Sequence, residues 1–399
     1  MRGAGLTRAA LGPAAIAAVC LALTALTVRC WLVGPYDLEV YRAAGDAVWH
    51  RLGLYGDAFP HNLPFTYPPF AAWLFVPLLA LPWPVVVAGW TLATLALLAW
   101  VITVSFAAVL PAGGWARPAA IGGLLVAAAV SSPLTDHLGF GQINVLLMAM
   151  CLADLLGARP RWLPAGVLIG LAAAIKLVPV LFVVYLLVTG RARAAATALG
   201  TALAATAAAA AVSFTDSRRY FTELLWHLGE RVGLANNATI GNQSLQGALL
   251  RLLPADAVGP VWLAGAALLA GVGMWAARRA WRGHGEVAGA AVTGLVAPVI
   301  TPVSWPHHLV WLVPALGVLA GWSRGARRRW LPPAAAAAVW LLLVVRAHRL
   351  GQLLVDAHPG GALRVGGEAL RDSFVLACVA LVAVLGAGGP ATPVEPERG

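Results

Sequence analysis

Lysine is almost missing from this chain: of its 27 Lys and Arg residues only Lys176 is a lysine. Acids are scarce too, 16 Asp and Glu in 399 residues, and charged residues together make up 11%. Soluble domains carry about a quarter, so an ordinary water-facing surface is excluded. Cysteine is limited to Cys20, Cys30, Cys151 and Cys378, three of them inside apolar runs, which excludes a disulfide or zinc framework. Fixed-period repeats and low-complexity linkers are absent. Within the final stretch GAGGPATPVEPERG, residues 390–399 read as a disordered tail.

What is present is apolar: hydrophobic residues make up 60%. Runs long enough to span a bilayer, roughly 17–25 residues, fall at about 8–29, 67–82, 84–110, 117–133, 143–157, 162–189, 194–213, 259–277, 287–303, 306–322, 330–346 and 372–389. The shortest, 117–133 and 143–157, flank SSPLTDHLGFGQ and read as half-helices around a partly buried loop. The net charge of +11 sits largely in short loops, as topology signals and anionic-lipid contacts, with no nucleic-acid partner implied. Arg2 and Arg8, GRAR (190–193), ARRAWRGHGE (277–286) and SRGARRRW (323–330) fall on one side when twelve spans alternate. The positive-inside rule makes that side, with both termini, cytoplasmic. Loops 30–66, 111–116, 158–161, 214–258, 304–306 and 347–371 then face outward. The first run is too long for a cleaved signal and reads as a retained span. Residues 1–389 form one membrane domain: 1–213 as a catalytic module, 214–258 as a second outer loop, and 259–389 as C-terminal spans.

Polar clusters stand out against this background. In GPYDLEVYRAAG (34–45), Asp37 and Glu39 are two apart, about 200° around a helix, so they act as single acids. Tyr41, Ala44, Val48 and Leu52 recur at helical spacing, while Glu39, Arg42, Asp46 and His50 take other faces, predicting a surface helix with Asp37 at its N-cap. A cap and a catalytic role are compatible. In NLPFTYPPFAAWLFVPLLALP, Pro68 and Pro69 suit a first helical turn, and Phe65, Tyr67 and Trp73 suit an interfacial belt.

Gln142 and Asn144 in GQINVLLM open a span and suit hydrogen bonds between helices. Lys176, three residues before Pro179, is an ionisable group inside an apolar run, and such groups are costly and usually functional. It suits a phosphate; the bland alternatives are snorkelling or pairing with Asp136 or Asp154. Asn242, Gln243 and Ser244, in NNATIGNQSLQGALLR, offer amides and a hydroxyl to sugar hydroxyls, or simply form a polar loop. His307 and His308, in TPVSWPHHLVW, lie about 100° apart on a helix, so only one is expected to face a cavity. They suit donation to a phosphate, or interfacial anchoring beside Trp305 and Trp311. No spacing supplies a metal-ligand set, so no cofactor is expected and a divalent metal stays open.

In this order, DLEVYRAAGDAV, FTYPPFAAWLFVPL, GQINVLLM, GLAAAIKLVPVL, GNQSLQGALLR and SWPHHLVW resemble the membrane mannosyltransferases of glycosyltransferase family 87, which have the GT-C fold. The resemblance covers residues 37–311; 330–399 carries no matching motif. It implies the GT-C fold, which agrees with the all-α polytopic bundle of about twelve spans and a surface helix in the first outer loop read from the runs and spacings above. It implies a polyprenyl-phosphate-linked sugar donor, usually mannose, used on the outer face of the plasma membrane. Asp37 is implied as general base, with His307 or His308 contributing. Candidate substrate contacts are Tyr41, Arg42 and Tyr67, the amides Gln142 and Asn144, Lys176, and the Asn242–Gln243–Ser244 triplet. A single base without a second carboxylate nucleophile fits direct displacement with inversion, giving an α-linkage from a β-linked donor. The acceptor, a glycolipid or lipoglycan hydroxyl or a protein, is open. Rival readings are an arabinofuranosyltransferase using a polyprenyl-phospho-arabinose donor and, in another class, a lipid or solute transporter. A transporter tends to show repeats and midplane polar groups, and only Lys176 fits that pattern.

Overall fold

The computed structural model describes residues 18–30, 32, 34–56, 59–227, 237–322, 329–358 and 360–387. The expected tail 390–399, Arg2, Arg8 and most of loop 323–330 lie outside them. All regular structure in the described residues is helical. The first half holds α1 (Ala18–Cys30), α2 (Tyr36–Trp49), α3 (Pro69–Phe75), α4 (Trp83–Ser105), α5 (Ala116–Ala129), α6 (Ser132–Phe140), α7 (Asn144–Leu155), α8 (Val167–Ile175), α9 (Leu181–Val188) and α10 (Ala192–Val212). The second half holds α11 (Phe214–Thr222), α12 (Leu245–Leu252), α13 (Ala255–His284), α14 (Glu286–Ile300), α15 (Leu312–Gly321), α16 (Leu331–Val344), α17 (Ala347–Ala357), α18 (Gly361–Arg371) and α19 (Ser373–Ala387).

By length and composition α4, α10 and α13 are able to cross a membrane, as are the bent pairs α5–α6, α16–α17 and α18–α19. Helix α14 forms the centre, buried on every side from Ala288 to Val299. Its small residues permit this: a methyl on Gly294 would lie 2.0 Å from the Trp311 ring, and one on Gly289 2.3 Å from the Tyr185 hydroxyl. Without a hydrophobic drive between helices in lipid, such close backbone approach supplies the packing.

Three expected elements fold differently. Residues 67–82 do not run away from α2 as a span. They form α3 and a 3-10 turn, Val76–Ala80, that stay beside it. Tyr41 hydrogen-bonds Tyr67 and stacks on Phe75, Gly45 packs on the Phe75 carbonyl, and Arg42 donates to the Leu81 carbonyl oxygen. Residues 162–189 are not one helix either. Lys176 adopts extended angles, φ −149° and ψ 132°, ending α8; a short turn, Val178–Val180, leads into α9. Gly166 abuts Ala194, 2.1 Å from that carbonyl oxygen to an added methyl, and Gly170 abuts Ala198 in the same way. Helix α8 therefore runs parallel to α10, while α9 leads directly back into α10 through Gly190, at φ +82°. The segment is a hairpin whose two ends lie together and whose apex carries Lys176. Finally, SSPLTDHLGFGQ is mostly the helix α6, bent 82° from α5. Its end, Gly141, packs on Leu38 and Pro35, next to the first loop, whereas alternation had put it on the opposite side.

Helix α2 is the expected first-loop helix, with Leu38, Tyr41, Ala44 and Val48 buried. Leu52 lies beyond its end and is exposed. The residue preceding the helix is Pro35, so Asp37 is not its N-cap. Nor do Phe65 and Tyr67 form an interfacial belt: both are buried.

The α8–α10 contact yields a test. Gly170→Val forces two backbones apart and is expected to cost at least about 1–3 kcal/mol, read as a lower melting temperature of detergent-purified protein. Gly200, with open space at its Cβ, is the control, and Gly200→Ala is expected to be neutral or to stabilise by up to ~1 kcal/mol.

Candidate active site

A cavity of about 1480 Å³ gathers residues from most of the elements read as outer. Helix α2 contributes Asp37, the α6–α7 junction Gln142 and Asn144, and the hairpin apex Lys176 to Leu181. The turn before α15 contributes His307 and His308, and α17 contributes His348 and Arg349.

One hydrogen-bond chain crosses it. The Asp37 carboxylate accepts from Gln142 Nε2 at 2.6 Å. Gln142 Oε1 accepts from the Tyr41 hydroxyl at 3.1 Å, the Tyr67 hydroxyl at 3.3 Å and Asn144 Nδ2 at 3.3 Å. Lys176 Nζ donates to Asn144 Oδ1 at 2.8 Å and to the Tyr67 hydroxyl at 3.4 Å, and lies 5.0 Å from the Tyr67 ring centre. Acid and cation are thus joined through neutral groups without touching. An ammonium has three N–H groups, and among the described residues two of Lys176's find acceptors, leaving one for another. Its proposed partners are taken: Asp136 pairs with Arg346 at 3.3 Å, and Asp154 accepts from the Gly166 and Ile169 amides.

Burial pushes the Asp37 carboxyl up to about 6, against the opposing pull of the Gln142 hydrogen bond and the Lys176 charge. A carboxylate near that value is well matched to accepting a proton around neutrality.

Asn144 Nδ2 also donates to the His307 carbonyl oxygen at 3.0 Å, tying the histidine turn to α7. Both histidines line the cavity, contrary to the expectation of one. They sit on a 3-10 turn, Pro306–Trp311, with their rings 4.6 Å apart and perpendicular. His308 Nδ1 accepts from the Trp305 amide, so Nε2 carries its proton, while the buried His307 Nδ1 has no partner among the described residues. Phe140 meets the His307 ring edge to face, and Tyr36 meets His61.

Two expectations fail here. Arg42 does not line the cavity; its guanidinium reaches the Leu81 carbonyl oxygen at 3.2 Å and lies over Trp83. It stands five residues from Asp37, about 140° around the helix. Glu39 binds His61 at 2.8 Å. The Asn242–Gln243–Ser244 triplet is fully buried, 0% exposed, and turned to backbone. Asn242 accepts from the Ser244 and Ser304 amides and donates to the Asn237 and Pro302 carbonyls. Ser244 caps α12 by accepting from the Gly247 amide. Gln243 donates to the Ile240 and Arg371 carbonyls. Their neighbours Thr239, Ile240 and Gly241 line the cavity instead. The wall from α17 lay in a stretch with no recognisable motif, although an arginine-rich amphipathic segment was there to be seen. Among the described residues no three His, Cys, Asp or Glu side chains gather as metal ligands.

The sequence profile of glycosyltransferase family 87 matches residues 65–302. That span holds Gln142, Asn144 and Lys176, and stops short of Asp37 on one side and His307 on the other. A polyprenol-phosphate-mannose-dependent alpha-(1-2)-phosphatidylinositol mannoside mannosyltransferase of Mycobacterium tuberculosis is 37% identical over 311 residues, 73% of this chain and 72% of that one. A polyprenol-phosphate-mannose-dependent alpha-(1-2)-phosphatidylinositol pentamannoside mannosyltransferase of Mycolicibacterium smegmatis is 34% identical over 321 residues, 77% and 76% of the two chains. ArnT from Cupriavidus metallidurans, in a crystal structure with undecaprenyl phosphate, aligns over 93% of this chain and 77% of its own at 18% identity and TM-score 0.43, too loosely to carry an argument.

The inward-turned triplet separates structural from substrate roles. Asn242→Ala strands buried amides and carbonyls at about 1–3 kcal/mol each. It is expected to lower the melting temperature while leaving the donor and acceptor KM of the surviving folded protein within about twofold. A raised KM at unchanged stability would return the triplet to sugar binding.

Proposed function

The chain belongs to glycosyltransferase family 87, and on that premise we propose that it transfers a mannosyl residue from polyprenyl-phosphate-mannose to a hydroxyl of a phosphatidylinositol mannoside-type glycolipid. The observation that carries the reading is the Asp37–Gln142–Asn144–Lys176 chain: one base and one cation, held apart by neutral groups, on one cavity. Asp37 takes the proton of the acceptor hydroxyl, whose oxygen attacks the anomeric carbon. The bond from that carbon to the phosphate oxygen breaks, and polyprenyl phosphate leaves with the bonding pair. Phosphate is a good leaving group, so no general acid is needed; the requirement is positive charge where negative charge grows. Lys176, with its free N–H, supplies it, and the histidine turn adds a donor. A single displacement inverts the anomeric centre.

The same reading fixes the membrane frame. With 67–82 and 162–189 folding back, twelve expected crossings become ten. The parity of loops 30–66, 214–258, 304–306 and 347–371 is unchanged, and they stay together on the cavity side. Loop 134–142 joins them, which is in keeping with its contacts to the start of α2 and to the cavity. Arg117, Arg159 and Arg161 move to the basic side with Arg191 and Arg193, which strengthens the positive-inside argument. The cavity thus opens on the outer face of the plasma membrane, where a lipid-linked sugar would present its head group.

Two outcomes check this. Asp37→Asn is expected to reduce turnover by about 10²–10⁴-fold, the worth of a general base, with folding retained. In the unaltered protein the carboxylate is the working form, so kcat/KM is level above pH ~6 and falls about tenfold per unit below the Asp37 value of about 6. Near-normal turnover in Asp37→Asn contradicts the assignment. Lys176→Ala is expected to raise the donor KM or slow turnover by about tenfold or more, as loss of a charge-assisted phosphate contact, with acceptor KM little changed. An unchanged response to donor returns Lys176 to a structural role.

A further inference from the structure

The cavity wall built by α17 carries a cation that the transfer reaction does not use. Arg346 and Arg349 are three residues apart, on one face of the helix end, and they confront one carboxylate, Asp136 of α6. Arg346 takes it: its Nη2 lies 3.3 Å from Asp136 Oδ1. The Arg349 side chain lines the cavity and makes no hydrogen bond or ion pair among the described residues. Of the Lys and Arg residues described, Lys176 and Arg349 are the two on the cavity lining.

The element that presents Arg349 is fixed. Arg346 stands at the joint between α16 and α17 at φ 53°, in the left-handed region that a non-glycine residue enters at a cost, and its ion pair ties that joint to Asp136 of α6. Gly351 abuts the Arg371 backbone, 2.1 Å to an added methyl, which locks α17 on α18. Asp372, at the next joint, is bound by Arg251, which also holds the Thr239 and Asn242 carbonyls. The backbone that carries Arg349 is therefore fixed, and its exposed guanidinium is free to take an anion. On the same helix Leu350 and Leu353 are 44% and 64% exposed, and Leu353 shares the cavity lining. Guanidinium and exposed leucines side by side match a molecule with an anionic group next to an acyl chain.

Sugar transfer needs one anion, the donor phosphate at Lys176, and an acceptor hydroxyl needs none. We infer that Arg349, set on α17 by the Arg346–Asp136 pair, is a second anion-binding position that holds the phosphodiester of a phospholipid-anchored acceptor. A guanidinium suits that group because its fork matches two phosphate oxygens. The inference rests on the glycosyl-transfer reading and adds how the acceptor is selected. The alternative source of the same chemistry is the head group of a bilayer phospholipid.

The test compares two acceptors, a phosphatidylinositol mannoside and the neutral octyl α-mannoside, in phospholipid-free detergent and in phosphatidylcholine or phosphatidylglycerol nanodiscs. Arg349→Gln is expected to raise KM for the phosphatidylinositol mannoside about tenfold, leaving the octyl mannoside KM and the donor KM unchanged; Arg349→Lys recovers part of the loss. A thermal shift on adding deacylated phosphatidylinositol mannoside, seen in the unaltered protein and lost in Arg349→Gln, reads the same site without turnover. Equal effects on both acceptors, or none on either, overturn the inference. A dependence on phosphatidylglycerol that Arg349→Gln removes for both acceptors alike assigns the site to a bilayer head group and overturns it too. Failure of the unaltered protein to glycosylate any acceptor, with the thermal shift intact, refutes the transfer reading and not the anion site.

Discussion

The hydrogen bond from Gln142 to Asp37 is the contact on which the rest of the site depends. A half-buried carboxylate and a half-buried ammonium placed in direct contact would neutralise each other, and neither would be free for a substrate. Here an amide stands between them: Gln142 gives its N–H to Asp37, and its oxygen collects two tyrosine hydroxyls and Asn144, which in turn holds Lys176. Polar groups drawn into a cavity are costly unless partnered, and this chain gives each end a partner while keeping their charges apart and leaving Lys176 a donor for substrate. It also reaches the histidine turn through the His307 carbonyl.

The fold is arranged to bring those four residues together from distant parts of the chain. The bend between α5 and α6 turns the chain so that Gly141 packs on the start of α2 and Gln142 faces Asp37. The hairpin α8–α9 brings an ammonium into a cavity without leaving it in contact with lipid. Its apex is irregular backbone, and such backbone is tolerated at depth where it lines a cavity. Close approach of α8 to α10 at Gly166 and Gly170 makes the hairpin possible, because any side chain there would strike the α10 backbone.

Much of this was legible before any coordinates. Asp37, Gln142, Asn144 and Lys176 were each visible as polar residues where an apolar chain has little reason to place them, and all four line one cavity. What was not legible has identifiable causes. Hydropathy reports that 162–189 is apolar, but a crossing and a hairpin are equally apolar, so only the Gly166–Ala194 contact tells them apart. The Asn242–Gln243–Ser244 triplet looked like a sugar contact because amides suit both sugars and backbone, and composition does not reveal which way they turn. Arg42 is near Asp37 in sequence but on another face of α2. The α17 wall is not legible because its sequence carries no motif, and only the fold brings Arg349 and His348 to the cavity.

The central claim is that Asp37 is the titrating base and that Lys176 acts on it across the Gln142 and Asn144 bridge. The most direct test is the acidic limb of kcat/KM in Lys176→Ala compared with the unaltered protein. The positive charge of Lys176 helps hold the Asp37 carboxyl down, against the burial that raises it to about 6. Removing that charge is predicted to move the midpoint of the limb to higher pH. A midpoint that stays where it was, on whatever activity remains, would contradict the account.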